Sequence, residues 1–167
     1  MDYSGIMMIP EVHTDVRYAL IKDGKRLMIV VGFNPSTADE SKPDRTMQSV
    51  MRIAEHNGYD GFAMLNLYPL RSTSPDLLPS TADEALHRQN MEMLERILAN
   101  YPTADVVLAF GNLVYRRKYT LEYAREIWEI LKKEQRLVLC IDVLGSGMPK
   151  HPLYAKSTTV LKDFKLP

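Results

Sequence analysis

The residues with the most chemical potential in this chain stand directly behind short apolar runs. Asn34-Pro35-Ser36-Thr37 follows the run Leu27–Phe33 at once. Pro35 removes a backbone donor and keeps Asn34 out of the helical region, so the chain must turn there. Ser36 and Thr37 could then cap a short helix whose free amides face an anion or a carbonyl, or could simply close a strand-to-turn cap. Asp39 and Asp44 come next, and either could orient or deprotonate a water. Asp44 or Thr46 could equally cap the helix that follows. Asn66 interrupts the run Phe62–Leu67. Burying a primary amide without partners costs roughly 1–3 kcal/mol, so Asn66 must pair with a neighbouring loop or offer its donor and acceptor to a ligand's planar edge. Asn90, inside a helical stripe, raises the same question. His151 follows Gly145-Ser146-Gly147 and is the one histidine of four beside an expected strand tip.

Other chemistries find no pattern. His13, His56 and His87 lack i, i+3 or i+4 partners, and no His/Cys/carboxylate spacing suits a metal. No phosphate-cradling glycine pattern or Gly-x-Ser-x-Gly elbow occurs, so no metal or cofactor is expected. Arg116-Arg117-Lys118 is either a phosphate contact or a solvated cluster. Cys140 is the single cysteine and lies in Leu137–Ile141, where a buried structural thiol is expected. Lys plus Arg equals Asp plus Glu at 21 each, which argues against strong non-specific attraction to nucleic acid or anionic membrane. With no apolar stretch approaching ~18 residues and no signal-like start, a cytoplasmic protein without a membrane partner is expected.

These residues need a scaffold, and its elements alternate. Apolar runs at Leu27–Phe33, Phe62–Leu67, Asp105–Phe110 and Arg136–Val143 are continuous, as in strands buried on both faces of a parallel sheet. Between them lie helical stripes: Met47, Val50, Met51 and Ala54, with Gly58 as a stop; Leu86, Met93, Leu94, Ile97 and Leu98, ending near Asn100; and Leu121, Ala124, Trp128 and Leu131. The expected fold is α/β: a three-layer α/β/α sandwich with a mostly parallel four-stranded sheet. Val16–Ile21 and the Asp23-Gly24 turn predict an added N-terminal antiparallel hairpin strand. The size scaling gives a folded surface of roughly 8,400 Å², enough for one core, and residues 1–167 read as a single domain. The irregular stretch from Tyr68 to about Thr81 is either functional or a crossover. In such sheets ligands bind beyond the carboxyl ends of the strands. All four tips, ending in Asn34–Thr37, Asn66–Arg71, Gly111-Asn112 and Gly145–Pro152, should therefore converge on one cleft.

Taken together, Asn34-Pro35-Ser36-Thr37-Ala38-Asp39, Asp44-Arg45-Thr46, Asn66-Leu67-Tyr68, Gly111-Asn112 and His151-Pro152-Leu153-Tyr154 strongly resemble a bacterial and phage family known only as a domain of unknown function (DUF1643). The resemblance covers nearly the whole chain and implies no activity. A more distant one does. Gly32-Phe33-Asn34-Pro35, Met64-Leu65-Asn66 with Leu70-Arg71, Val107–Gly111 and His151-Pro152 resemble, in the same order, motifs of the uracil-DNA glycosylase superfamily. That family's His-Pro-Ser-Pro-Leu-Ser wedge stands here as His-Pro-Leu-Tyr.

The distant resemblance implies an enzyme that hydrolyses an N-glycosidic bond in a nucleotide or nucleic acid. Its partners would be a nucleobase, a nucleotide or single-stranded nucleic acid; a base in duplex DNA would first have to be flipped out. Asp39 or Asp44 would position water and His151 would stabilise the departing base. Asn66 would read the base edge, and Asn34, Pro35, Ser36, Thr37, Arg71, Gly111 and Asn112 would face the substrate. Two other readings stay open: a nucleotide-binding or modified-base-binding module without turnover, and an unrelated hydrolase using Asp39 and His151. Substrate identity and oligomeric state are not legible.

Overall fold

A computed structural model describes residues 1–167. Three of the expected strands match the apolar runs to within two residues at either end: β3 (Leu27–Gly32), β4 (Gly61–Asn66, starting one residue early) and β5 (Asp105–Leu108). The fourth is shorter, β6 (Val138–Cys140). These four are mutually parallel, in the order β4-β3-β5-β6. Continuous apolarity means what it should: β3 and β4 are buried along their whole length.

The sheet is larger than four strands plus one. It has seven, in the order β1-β2-β4-β3-β5-β6-β7, with antiparallel neighbours at both edges. β2 (Ala19–Lys22) is the expected N-terminal antiparallel strand, and the additions are β1 (Met7–Ile9) and β7 (Lys162–Asp163). Strands of two or three residues carry too little alternation to be read from sequence. The hairpin expected across Asp23-Gly24 also takes a different form. β2 pairs with β1 and β4, never with β3, because both edges of β3 are taken by β4 and β5. The Asp23-Gly24 connection instead crosses the start of β4. A Cβ on Gly61 would lie 2.6 Å from Lys22 O and 2.7 Å from Gly24 N, both rigid backbone atoms. Gly61→Ala is therefore expected to destabilise the protein by roughly 1–3 kcal/mol, as overpacked sites do, read as a lower urea midpoint at unchanged m-value.

Helices cover both faces. α1 (Arg45–His56) packs Met47, Val50, Ile53 and Ala54 on Met28, Val30, Phe62 and Met64. On the other face α2 (Glu84–Asn100) and α3 (Lys118–Lys133) cover Ile29, Val31, Leu65, Val106 and Leu108. Strand side chains alternate between these two cores, as period two demands. Asp44 caps α1, its Oδ1 accepting from Met47 N at 2.9 Å, so Thr46 is not the cap. Asp83 caps α2 in the same way. Two stripes are rotated from their expected positions: Leu86 and Met93 in α2, and Leu121 and Trp128 in α3, are only partly buried. His87, Asn90, Met91, Tyr123 and Ile127 take the inner places. Cys140 is fully buried in β6, and burial pushes its thiol up to about 11.

The accessible surface is 8412 Å², the value that size scaling gives for one core. No helix is long and apolar enough to cross a membrane.

Candidate functional site

The parallel strands all end on one side, and their tips enclose a cleft of about 890 Å³. Gly32 and Asn66 are register partners at the ends of β3 and β4. Alternation turns Met64 and Asn66 to the α1 face, and a side chain at Gly32 would run into both, at 2.6 Å from Met64 Cε and 3.0 Å from Asn66 Oδ1. The missing Cβ is the space in which the Asn66 amide lies.

Asn66 is 1% exposed, lines the cleft, and neither its Nδ2 nor its Oδ1 has a hydrogen-bond partner within the protein. Its backbone is held firmly from the far face: Asn90 Nδ2 donates to Asn66 O at 3.0 Å and to Leu67 O at 3.2 Å. The question posed by two asparagines thus has two answers. Asn90 is a strut for the strand tip, while the Asn66 side chain is left to the cleft.

Asn34 also lines the cleft, but both its amide protons are used, on Pro35 O at 2.9 Å and Ser72 O at 3.0 Å. It stitches the β3 tip to the Tyr68–Thr81 segment, which brings Ser72, Thr73 and Pro75 into the lining. That segment is a wall as well as a crossover. Ser36 is in the lining; Thr37 is exposed and Pro35 is buried outside it. Neither Ser36 nor Thr37 caps a helix, because no helix begins before Arg45.

The two candidate carboxylates separate. Asp39 is not in the lining, and its Oδ1 is occupied by Ser41 N, Ser41 Oγ and Lys42 N at 2.7–2.9 Å. Those bonds, the Ser41 hydroxyl foremost, hold its carboxyl below the usual carboxylate range. It closes its own turn, so an Asp39–His151 pair across the cleft is not what the fold assembles. Asp44 is the one carboxylate in the lining, fixed there by its capping bond.

His151 reaches the cleft from the loop after β6. Its Nδ1 accepts from Leu153 N at 3.3 Å, which in the neutral ring leaves the proton on Nε2. Burial pushes its pKa below the ordinary 6.5, partly opposed by the Asp44 charge, so the ring is neutral at pH 7. The sign follows from linkage: a depressed histidine contributes stability in full above its unfolded value and loses it as pH falls through the folded one. We expect stability to decline below about pH 6.5, and His151→Asn to remove that part of the decline, measured as the difference between urea midpoints at pH 7.5 and pH 5.5.

Gly111 seats the histidine. Its φ is +64°, its N donates to Pro149 O at 2.9 Å, and a Cβ there would stand 3.2 Å from His151 Cβ. Asn112, also in the lining, accepts from the Ser146 hydroxyl and ties the β5 and β6 tips together.

The cations are distributed differently from the sequence expectation. Arg71 is not in the lining: its Nη1 donates to Ser36 O and Ala38 O, both at 3.0 Å, so it braces the loop from behind. Of the basic triplet, Arg116 lines the cleft, Arg117 clamps the Asp76, Leu78 and Pro79 carbonyls, and Lys118 is solvated. Arg17 lines the cleft and is 2% exposed; sequence reasoning missed it. An arginine between Val16 and the apolar Ala19–Ile21 was its only signal. With Lys150, the lining holds three full cations against one carboxylate, in a chain of zero net charge.

No curated protein and no solved structure matches the chain. A family model, described as protein of unknown function (DUF1643), matches residues 17–153. The stretch runs from Arg17 to Leu153 and contains every cleft residue named above. The chain belongs to the DUF1643 family.

Proposed function

We propose that the cleft binds a nucleobase and that the protein hydrolyses the N-glycosidic bond of a nucleotide or nucleic acid. The observation that carries this reading is the Asn66 amide: buried, rigidly held, and without a partner for either its donor or its acceptor. A nucleobase edge that sets a carbonyl beside an N–H satisfies both atoms at once. That pairing recovers a desolvation cost of roughly 1–3 kcal/mol already present in the empty site.

The surrounding groups suit the reaction. As the glycosidic bond breaks, its electron pair leaves with the base and the sugar becomes cationic. Neutral His151, carrying its proton on Nε2, donates a hydrogen bond to the developing anion. Asp44 accepts a proton from the water whose oxygen adds to the sugar carbon. The departing base then takes up a proton, which closes the balance. The four parallel strands presenting their motifs at one end also fit the glycosylase resemblance.

A second reading, a base-binding module without turnover, is favoured by one detail: the single carboxylate in the lining already caps α1. The two readings are separated by incubating the protein with nucleosides, their 5′-monophosphates and uracil-containing single-stranded DNA, and following free base by chromatography. Release that Asp44→Asn abolishes supports the hydrolase. No release from any substrate, with a melting shift that Asn66→Ala removes, leaves the binding module. Neither release nor shift overturns both.

A further inference from the structure

We propose that the cleft takes its base as part of a phosphorylated nucleotide, with Arg17 and, across the sheet, Arg116 and Lys150 receiving a terminal phosphate. This rests on the reading above for the base end of the ligand.

Arg17 is almost wholly inside the protein, yet its side chain makes one hydrogen bond, from Nη1 to Ala38 O at 2.7 Å. Its Nε is buried without a partner, and it takes part in none of the protein's ion pairs. The nearest compensation works against it, because Arg71 donates to the same Ala38 carbonyl and brings a second positive charge. Burial and that neighbour lower Arg17 to about 10, which still leaves it charged at neutral pH. A buried guanidinium with unused donors and no acid in direct contact, the charges of Asp44 and Asp39 acting on it only from a distance, is unfavourable unless an anion completes it, and its planar fork suits a phosphate.

The other two cations line the same cleft from its far side. Arg17 enters beside β2, whereas Arg116 follows β5 and Lys150 follows β6, so positive charge flanks the cleft from both sides. Arg116 is held only by an exposed contact of 3.5 Å to Asp76, which leaves it free to turn inward. The depth of Arg17 selects the source of phosphate. A group that reaches so enclosed a guanidinium is a chain end, a phosphomonoester, whereas a strand's phosphodiester must continue outward on both sides.

The test is calorimetric titration of the protein with nucleosides, the matching 5′-monophosphates, ribose 5-phosphate and a ten-residue single strand. The expected result is a monophosphate affinity roughly tenfold or more above that of its nucleoside, a ratio that Arg17→Gln abolishes. The double variant Arg116→Ala/Lys150→Ala, at one exposed and one half-buried position, lowers the same ratio without touching Arg17. Asn66→Ala weakens nucleoside and monophosphate by an equal factor. Equal affinity for nucleoside and monophosphate overturns the phosphate assignment and leaves the base reading standing. Ribose 5-phosphate binding as tightly as the nucleotide supports the phosphate and overturns the base reading. A single strand that binds more tightly than the monophosphate, and loses that advantage in Tyr115→Ala/Tyr154→Ala at the exposed rim, overturns the terminal phosphate in favour of a strand.

Discussion

Asn66→Ala is expected to lose base binding by a factor of roughly 10–100 while leaving the melting temperature unchanged or higher. The two effects share a cause. In the free protein both polar atoms of this amide are shut away from water without partners, a burden of roughly 1–3 kcal/mol. Removing the amide relieves that burden, and the space left opens on the cleft, so little cavity penalty arises. With ligand present the balance reverses, because the donor and acceptor that the base would meet are gone. Asn66→Asp sharpens the contrast: a carboxylate at 1% exposure is destabilising and would make stability pH-dependent. The checks are urea melts and ligand titrations on the same samples. A stability loss for Asn66→Ala well beyond 1 kcal/mol would mean that the amide supports the fold and does not await a ligand.

On the proposed hydrolase reading, Gly111→Ala should have the opposite profile: base binding kept, turnover reduced by up to about tenfold. At φ +64° a Cβ is strained, which costs on the order of 1 kcal/mol. The larger consequence is positional. The new methyl would stand 3.2 Å from His151 Cβ, so the His151 loop must give by a few tenths of an ångström. Displacements of about 1 Å at a reacting centre can remove two orders of magnitude in rate. Asn66, on β4, is separated from β5 by β3, so the shift leaves it in place. A Gly111→Ala protein that released base as fast as the parent chain would show that His151 is not the group that meets the departing base, and equal losses of binding and release would show that the whole cleft had been disturbed.

These two variants probe opposite walls of one hollow, and the charge around it explains why its ligand is sought among nucleotides. Neutral His151 and the Asn66 amide offer directional hydrogen bonds, whereas Arg17, Arg116 and Lys150 offer charge. A neutral chain that gathers three cations around one opening concentrates a field there that its composition conceals.

What the sequence determined by itself was the part of this molecule written in local periodicity. Continuous apolar runs read as buried parallel strands, because a strand covered on both faces has no polar side to show. Asn66 stood out as a polar residue in such a run, and Asn34, Gly111 and His151 stood out by following one. The tertiary structure decided everything that depends on partners far along the chain. β2 pairs with β4 because β3 has no free edge, and a local turn cannot know that. Asp39 and Asp44 look alike in sequence, yet one spends its oxygen on Ser41 and Lys42 while the other caps α1 at the cleft's edge. Arg71, expected at the substrate, braces the Ser36 and Ala38 carbonyls outside the lining, whereas Arg17, which no sequence feature singled out, lies buried in the lining with its Nε unpartnered. Hydrogen bonds twenty to forty positions long, which leave no periodic trace, sorted Arg17, Arg71 and Asn90, whereas Asp39 and Asp44 were sorted by bonds two or three positions long that the loop conformation selects.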